Sequence, residues 1–309
     1  MMKILLALLL FNLTLKSQAA TKDAEKLMAK KANAALALMS FSIIPDVTTS
    51  NLSIKNNSND DASLKLTQLG GGATISDSVP IYLEGNFAYS RFDPTFVLTD
   101  GEHTQSIPLK WNSVSVSGGI GWDFEIAQDW VIRPIANIAL GRVVSDLRLA
   151  QWYINEKFDL DLSFIDGGRL NAFGYGGALM LDYEHASPKH DLDFELRYSY
   201  IRLESFGSTS AAVKGKANAE NVSLYLRRRV PTGYELLQRP VRYVLEGAHT
   251  QYLGEQRGQL GFDYMSSTGV GIELDSSAYD VFVTRTRLVL RYMFGQNSNG
   301  YSFGLAMSF

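Results

Sequence analysis

The sequence has 309 residues with 29 Lys+Arg against 32 Asp+Glu, a formal charge of −3, and no cysteine. The absence of any basic block excludes a nucleic-acid footprint, and the absence of thiols excludes disulfides, thiolate metal sites and a cysteine nucleophile. What stands out instead is 26 Gly, 15 Tyr and 16 Phe, a composition suited to a β-barrel exported unfolded.

The chain opens with Lys3, the apolar run 4–15 and then Ser17-Gln18-Ala19-Ala20. That order of positive start, short apolar segment and small residues predicts a signal peptide over 1–19, cut after Ala19. No later stretch reaches the ~18 apolar residues of a membrane-crossing helix. Residues 20–41 are rich in Ala, Leu, Lys, Glu and Met, which favours a helix, and Pro45 ends it. About 20 helical residues would run ~30 Å. This helix either packs on the mouth of the barrel described next or threads its lumen, and topology favours the lumen. The domain division is therefore signal peptide 1–19, helix and connection 20–45, and barrel 46–309.

From residue 46 the pattern changes to period two, broken by turn residues. Strands are predicted at 47–56, 61–72, 79–91, 110–124, 130–145, 169–183, 190–204, 218–229, 240–252, 267–275, 280–294 and 299–309. The expected fold class is all-β, a 12-stranded antiparallel transmembrane β-barrel with an N-terminal luminal α-helix. Such barrels have short periplasmic turns and longer surface loops. Counting back from a periplasmic C-terminus gives turns at 73–78, 125–129, 184–189, 230–239 and 275–279. The surface loops are then 57–60, 92–109, 146–168, 205–217, 253–266 and 295–298, mostly longer than the turns.

Facing follows from the alternation, because successive strand residues point to opposite sides. Leu288, Leu290, Tyr292 and Phe294 share one face and Arg285, Arg287 and Arg291 the other. Arginines facing lipid near the midplane would each cost about 2–4 kcal/mol, so theirs is the luminal face. The same phase recurs in strands around 83–89, 114–122, 192–200, 222–229 and 241–246. It collects a luminal charge network of Glu84, Asp123, Arg133, Asp193, Glu195, Arg197, Arg227, Arg229, Arg242, Glu246, Arg285, Arg287 and Arg291. One reading is a mutually neutralising set that rigidifies a filled barrel. The other is an anion-preferring pore along an Arg-rich wall. Trp111, Trp122 and Trp130 lie near strand ends, where an aromatic girdle is expected.

The last strand alternates large Tyr301, Phe303, Leu305, Met307 and Phe309 with small Ser302, Gly304, Ala306 and Ser308. This is the form of the terminal signal that the outer-membrane β-barrel assembly machinery reads. The expected partners are that machinery, periplasmic chaperones, outer-membrane lipid and lipopolysaccharide, with no nucleic acid, no cofactor and no metal. The expected location is integral to the outer membrane of a Gram-negative bacterium.

A signal peptide, a short helix, Pro45-Asp46 and twelve strands ending in Phe resemble the translocator barrel of bacterial autotransporters, in particular solitary autotransporter-like barrels. The matching stretches include Thr67 to Gly72, Tyr82 to Asn86, Arg242 to Glu246, Ser277 to Asp280 and Arg291 to Phe309. The resemblance implies a luminal helix, a translocator architecture and no enzymatic activity. The span between Ala19 and Lys22 leaves no room for a passenger.

Catalytic readings are weaker. A barrel hydrolase working on lipid would need a Ser two residues from an outward His, and His249 is flanked by Ala248, Thr250 and Gln251. Asp100, Glu102 and His103 share one loop, where acids are usually solvated, and His185 and His190 lie in one predicted periplasmic turn. Asp146, Asp159, Asp161 and Asp166 in loop 146–168 lack the Gly-centred spacing of a calcium loop. That loop is expected to extend as a hairpin, and loops 92–109 and 146–168 offer an alternative function as contact surfaces. Asn33 alone does not predict self-cleavage in the helix.

Overall fold

The computed structural model describes residues 33, 35–37, 39–43, 49–56, 63–76, 78–93, 95–99, 104–108, 110–145, 169–207, 215–258, 261–278 and 284–308. The signal peptide, most of the predicted helix, loop 146–168 with its four aspartates, the Asp100–Glu102–His103 group and Phe309 lie outside them.

Fifteen strands follow in order: β1 (Thr49–Asn56), β2 (Ser63–Ser76), β3 (Val79–Asp93), β4 (Thr95–Thr99), β5 (Thr104–Pro108), β6 (Trp111–Trp122), β7 (Phe124–Ala127), β8 (Trp130–Ser145), β9 (Arg169–Ala186), β10 (Asp191–Phe206), β11 (Lys216–Leu236), β12 (Arg239–Leu253), β13 (Tyr264–Asp275), β14 (Arg285–Gly295) and β15 (Ser298–Ser308). β4 and β5 form a separate hairpin inside the predicted loop 92–109. β6 and β7 are one predicted strand interrupted at Asp123, whose amide donates to Pro80 O instead of continuing the ladder. Among the described residues the barrel sheet therefore has twelve staves.

Every stave is antiparallel to the next, and β1 pairs with both β2 and β15, while β6 pairs with both β3 and β8. Through these pairings the described sheet closes on itself, which removes the edges an open sheet would expose between its first and last staves. One rim carries the short connections and the end of β15, and the other carries the long ones; we call them the turn rim and the loop rim.

The two faces of the wall separate as the alternation requires. Phe87, Val116, Leu140, Leu196, Leu226, Leu245, Leu290 and Phe303 point outward and are exposed, while their chain neighbours Asn86, Ser115, Ser117, Arg197, Arg227, Glu246, Arg291 and Ser302 are buried inside. An outward apolar band around a polar interior inverts the arrangement of a water-soluble protein.

Three expectations need correction. Trp111 is not part of a girdle: it shares the inward parity of Ser113 and Ser115 and packs in the buried cluster with Leu36, Met39 and Leu203. The predicted turn 230–239 is mostly strand, because β11 continues to Leu236 with a bulge between Pro231 and Glu235. Loop 253–266 does not lie on the surface throughout, since Gln256, in a 3-10 turn over Gly254–Gln256, and Phe262 are fully buried.

Candidate functional site

The lumen is the candidate site, and the described residues inside it form two layers. In the layer toward the loop rim, residues 33, 35–37, 39 and 40 are helical and 41–43 form a turn. Leu36, Met39 and Ile43 are buried against inward residues of the wall, including Ala139, Val143, Ala172 and Ile201. Gly141 makes room for Met39, because a Cβ there would overlap its sulfur.

The end of this segment is held by neutral donors. Asn86 Nδ2 donates to Ser42 O at 2.8 Å, Ser115 Oγ to the same oxygen at 3.1 Å, and Ser117 Oγ to Ile43 O at 2.6 Å. These satisfy carbonyls that a terminating helix leaves without partners. At the other end Asn33 Oδ1 accepts from the Lys216 amide at 2.7 Å. Lys216 opens β11 at the loop rim, so the segment descends from that rim toward mid-barrel. The loop after β12 covers it: Gln256 Nε2 donates to Ser40 Oγ at 2.9 Å, and Phe41 packs edge-on against Tyr252 and Phe262.

The layer toward the turn rim consists of ion pairs. Two residues below Asn86, Glu84 accepts two 2.8 Å bonds from the Arg197 fork on β10 and one of 2.6 Å from Asn137 Nδ2 on β8. Gly119 leaves the space for this group, since a Cβ there would overlap Glu84 and Asn137. Nearer the turn rim, Arg133 pairs with Asp123 and with Asp182 at 3.0 Å, and its guanidinium lies 4.0 Å over the Tyr82 ring. Thr74 Oγ1 donates to Asp123 at 2.6 Å.

The far wall holds a longer chain of pairs. Asp193 accepts from Arg227 at 2.5 Å and Arg229 at 2.9 Å. Arg242 bridges Asp191 and Asp275, and Arg287 meets Glu273 at 3.0 Å. Glu246 accepts from Arg291 at 2.7 Å and from the Tyr225 hydroxyl at 2.6 Å. Glu195 is half-buried between Asp193 and Arg197, and Arg285 is half-buried opposite Asp275. Of the thirteen charged residues singled out in the sequence, eleven take part in the ion pairs just described, and Glu195 and Arg285 lie half-buried beside them.

Asp182, Asp191, Glu273 and Asp275 complete the network. The period-two pattern of Val270, Ile272 and Leu274 against Glu273 and Asp275 carries the signal for the last two. Among the described residues, Arg227, Arg229, Arg242, Arg287 and Arg291 are each within ion-pair distance of a carboxylate.

Outside the lumen, His249 Nδ1 lies 2.8 Å from Ser266 Oγ on the neighbouring strand, so the hydroxyl that the local sequence lacks comes from β13. Among the described residues the imidazole has this hydroxyl and the Tyr264 ring, 5.7 Å away, as neighbours, with no carboxylate to orient it as a base. His185 Nδ1 pairs with Asp129 at 2.7 Å in the turn rim. Among the described residues no group of His, Asp and Glu could hold a metal ion. Tyr301, Phe303 and Leu305 of the terminal strand face outward, each exposed; the Met307 side chain and Phe309 lie outside the described residues.

Residues 46–146 match the family model of the autotransporter β-domain. No curated protein matches the chain. Among solved structures, the β-domain of the Bordetella autotransporter BrkA is 15% identical, with 85% of this chain and 97% of that one covered at a TM-score of 0.47. The translocator domain of NalP from Neisseria meningitidis is 11% identical, with 94% and 95% covered at 0.43. The transport unit of AIDA-I from Escherichia coli is 14% identical, with 90% and 99% covered at 0.41. The stretch 46–146 is thus similar in sequence to an autotransporter β-domain.

Proposed function

We propose that this protein is a non-enzymatic outer-membrane barrel of a Gram-negative bacterium, held shut by its own N-terminal segment and by a luminal salt-bridge layer. It acts as a translocator-type or narrow-channel scaffold that conducts only when both layers yield. The observation that carries this reading is the two-layer arrangement inside the lumen, with Leu36, Met39, Ser42 and Ile43 buried in one half and Glu84–Arg197 in the other. The apolar outer band supports a lipid setting, and the outward Tyr301, Phe303 and Leu305 of the closing strand suit recognition by the β-barrel assembly machinery. Periplasmic chaperones on the way in, and lipid and lipopolysaccharide around the folded wall, complete the proposed partners.

Planar-bilayer conductance of the refolded protein tests this. Full-length protein should be silent, deletion of residues 20–43 should produce at most brief openings, and the same deletion with Glu84→Ala should conduct steadily. Steady conductance of the full-length protein refutes the closed-barrel reading.

A second reading, contact with surfaces or lipopolysaccharide through loops 92–109 and 146–168, is favoured by the β4–β5 hairpin that stands apart from the wall sheet. Deleting 95–108 without loss of attachment would dismiss it.

A further inference from the structure

β11 and β12 run past their neighbours at the turn rim. Arg229 is the last residue of β11 paired with β10, and Val241 is the first of β12 paired with β13. Residues 231–240 therefore form a hairpin with no lateral strand among the described residues. Its tip is apolar and open: Tyr234 is 75% exposed, Leu236 49% and Leu237 79%.

The turn itself is unusual. Leu237 and Gln238 adopt φ of 53° and 59°, the positive values of a two-residue type I′ turn that Asn-Gly normally fills. A bulky Leu held there at a steric cost, in full exposure, points to a role for its side chain rather than for the turn.

Two features identify the kind of contact. Pro231 and Pro240 stand one on each free strand, each lacking a backbone donor, which protects the edges against strand addition. Side chains, not main chain, must then make the contact. Arg242 lies in the luminal network, so Val241 and Tyr243 face outward, and Leu236 pairs with Arg239. Leu236 is thereby continuous with the outward apolar band through Tyr243 and Leu245 on β12. The exposed Arg228 also faces outward, level with Leu245 and therefore inside that band rather than beside the hairpin tip.

We propose that the β11–β12 hairpin is an interfacial anchor whose Leu236–Leu237 tip seats in the headgroup and upper acyl region of the periplasmic leaflet. The inference rests on the outer-membrane reading above.

Because the chain has no cysteine, single-site labelling tests it directly. Leu237→Cys, Tyr243→Cys and Gln128→Cys, each carrying an environment-sensitive fluorophore, are refolded into phosphatidylethanolamine/phosphatidylglycerol vesicles with brominated acyl chains. Tyr243 reports the outward band and Gln128 an exposed turn. The Leu237 probe should show a blue shift, bromine quenching comparable to Tyr243, and protection from aqueous iodide. If it instead behaves like the Gln128 probe while Tyr243 is quenched by bromine, the anchor is overturned. If the Tyr243 probe is not quenched, the membrane reading itself fails. Tyr234→Cys repeats the measurement away from the turn, so that a distorted Leu237 variant does not decide the outcome.

Discussion

The Arg197 guanidinium on β10 grips the Glu84 carboxylate on β3 through two 2.8 Å bonds although β6, β8 and β9 lie between their strands in the wall. Both side chains are almost wholly buried, 3% and 1% exposed. A pair of this kind contributes little over an apolar pair of equal volume, but removing one partner strands a buried charge at about 3–5 kcal/mol. Glu84→Ala should lower stability by that amount in urea unfolding of the refolded barrel. The double variant Glu84→Leu with Arg197→Met should recover most of it.

Gly119 and Gly71 give a paired steric prediction. A Cβ at Gly119 would overlap Glu84 and Asn137, whereas one at Gly71 meets nothing within 4 Å. Gly119→Val should displace the bridge and destabilise by roughly 1–3 kcal/mol, the range for overpacking. Gly71→Val should be close to neutral. Equal unfolding midpoints for the two variants would contradict the placement of the Glu84 group.

The barrel was legible because its two faces differ so sharply. Along β14, Arg287 and Arg291 alternate with Leu288 and Leu290, and only one phase keeps both guanidiniums out of an apolar setting. Glu84 and Arg197 were also legible as inward residues, but not as a pair: 113 residues separate them, and the chord between their strands depends on how the closed sheet curves. Trp111 was misread because its nearness to a strand end was weighed above its parity with Ser113. The inward loop after β12 was illegible for a different reason. Gln256 and Phe262 sit among turn residues with positive-φ glycines at 254, 258 and 261, a pattern shared by loops that stay in solvent.

That loop bears on how firmly the helical segment is held. Phe262 is 2% exposed and packs with Phe41, Tyr252 and Met265, so Phe262→Ala should cost about 3–5 kcal/mol locally. Gln256→Ala removes one neutral bond to Ser40, worth about 0.5–1.5 kcal/mol. Limited proteolysis of the folded barrel should then cleave within residues 20–43 far faster in Phe262→Ala than in the parent, with Gln256→Ala in between. Unchanged protection in Phe262→Ala would show that the wall alone retains the segment.

The outward band yields the sharpest test of the solvent it faces. Leu290 is 57% exposed in mid-strand on β14, flanked by Val289 and Arg291, which are both buried inside. On a water-facing surface Leu290→Arg changes stability by no more than about 0.5 kcal/mol. On a lipid-facing surface near the midplane it costs about 2–4 kcal/mol, because the guanidinium must be carried out of water or snorkel to the rim. Urea unfolding in phospholipid vesicles should therefore place Leu290→Arg well below the parent. Tyr292→Arg, two residues nearer the loop rim, should cost less, because the penalty falls toward the interface. A near-neutral Leu290→Arg would mean that this face contacts water or protein, and the membrane reading of the whole wall would have to be given up.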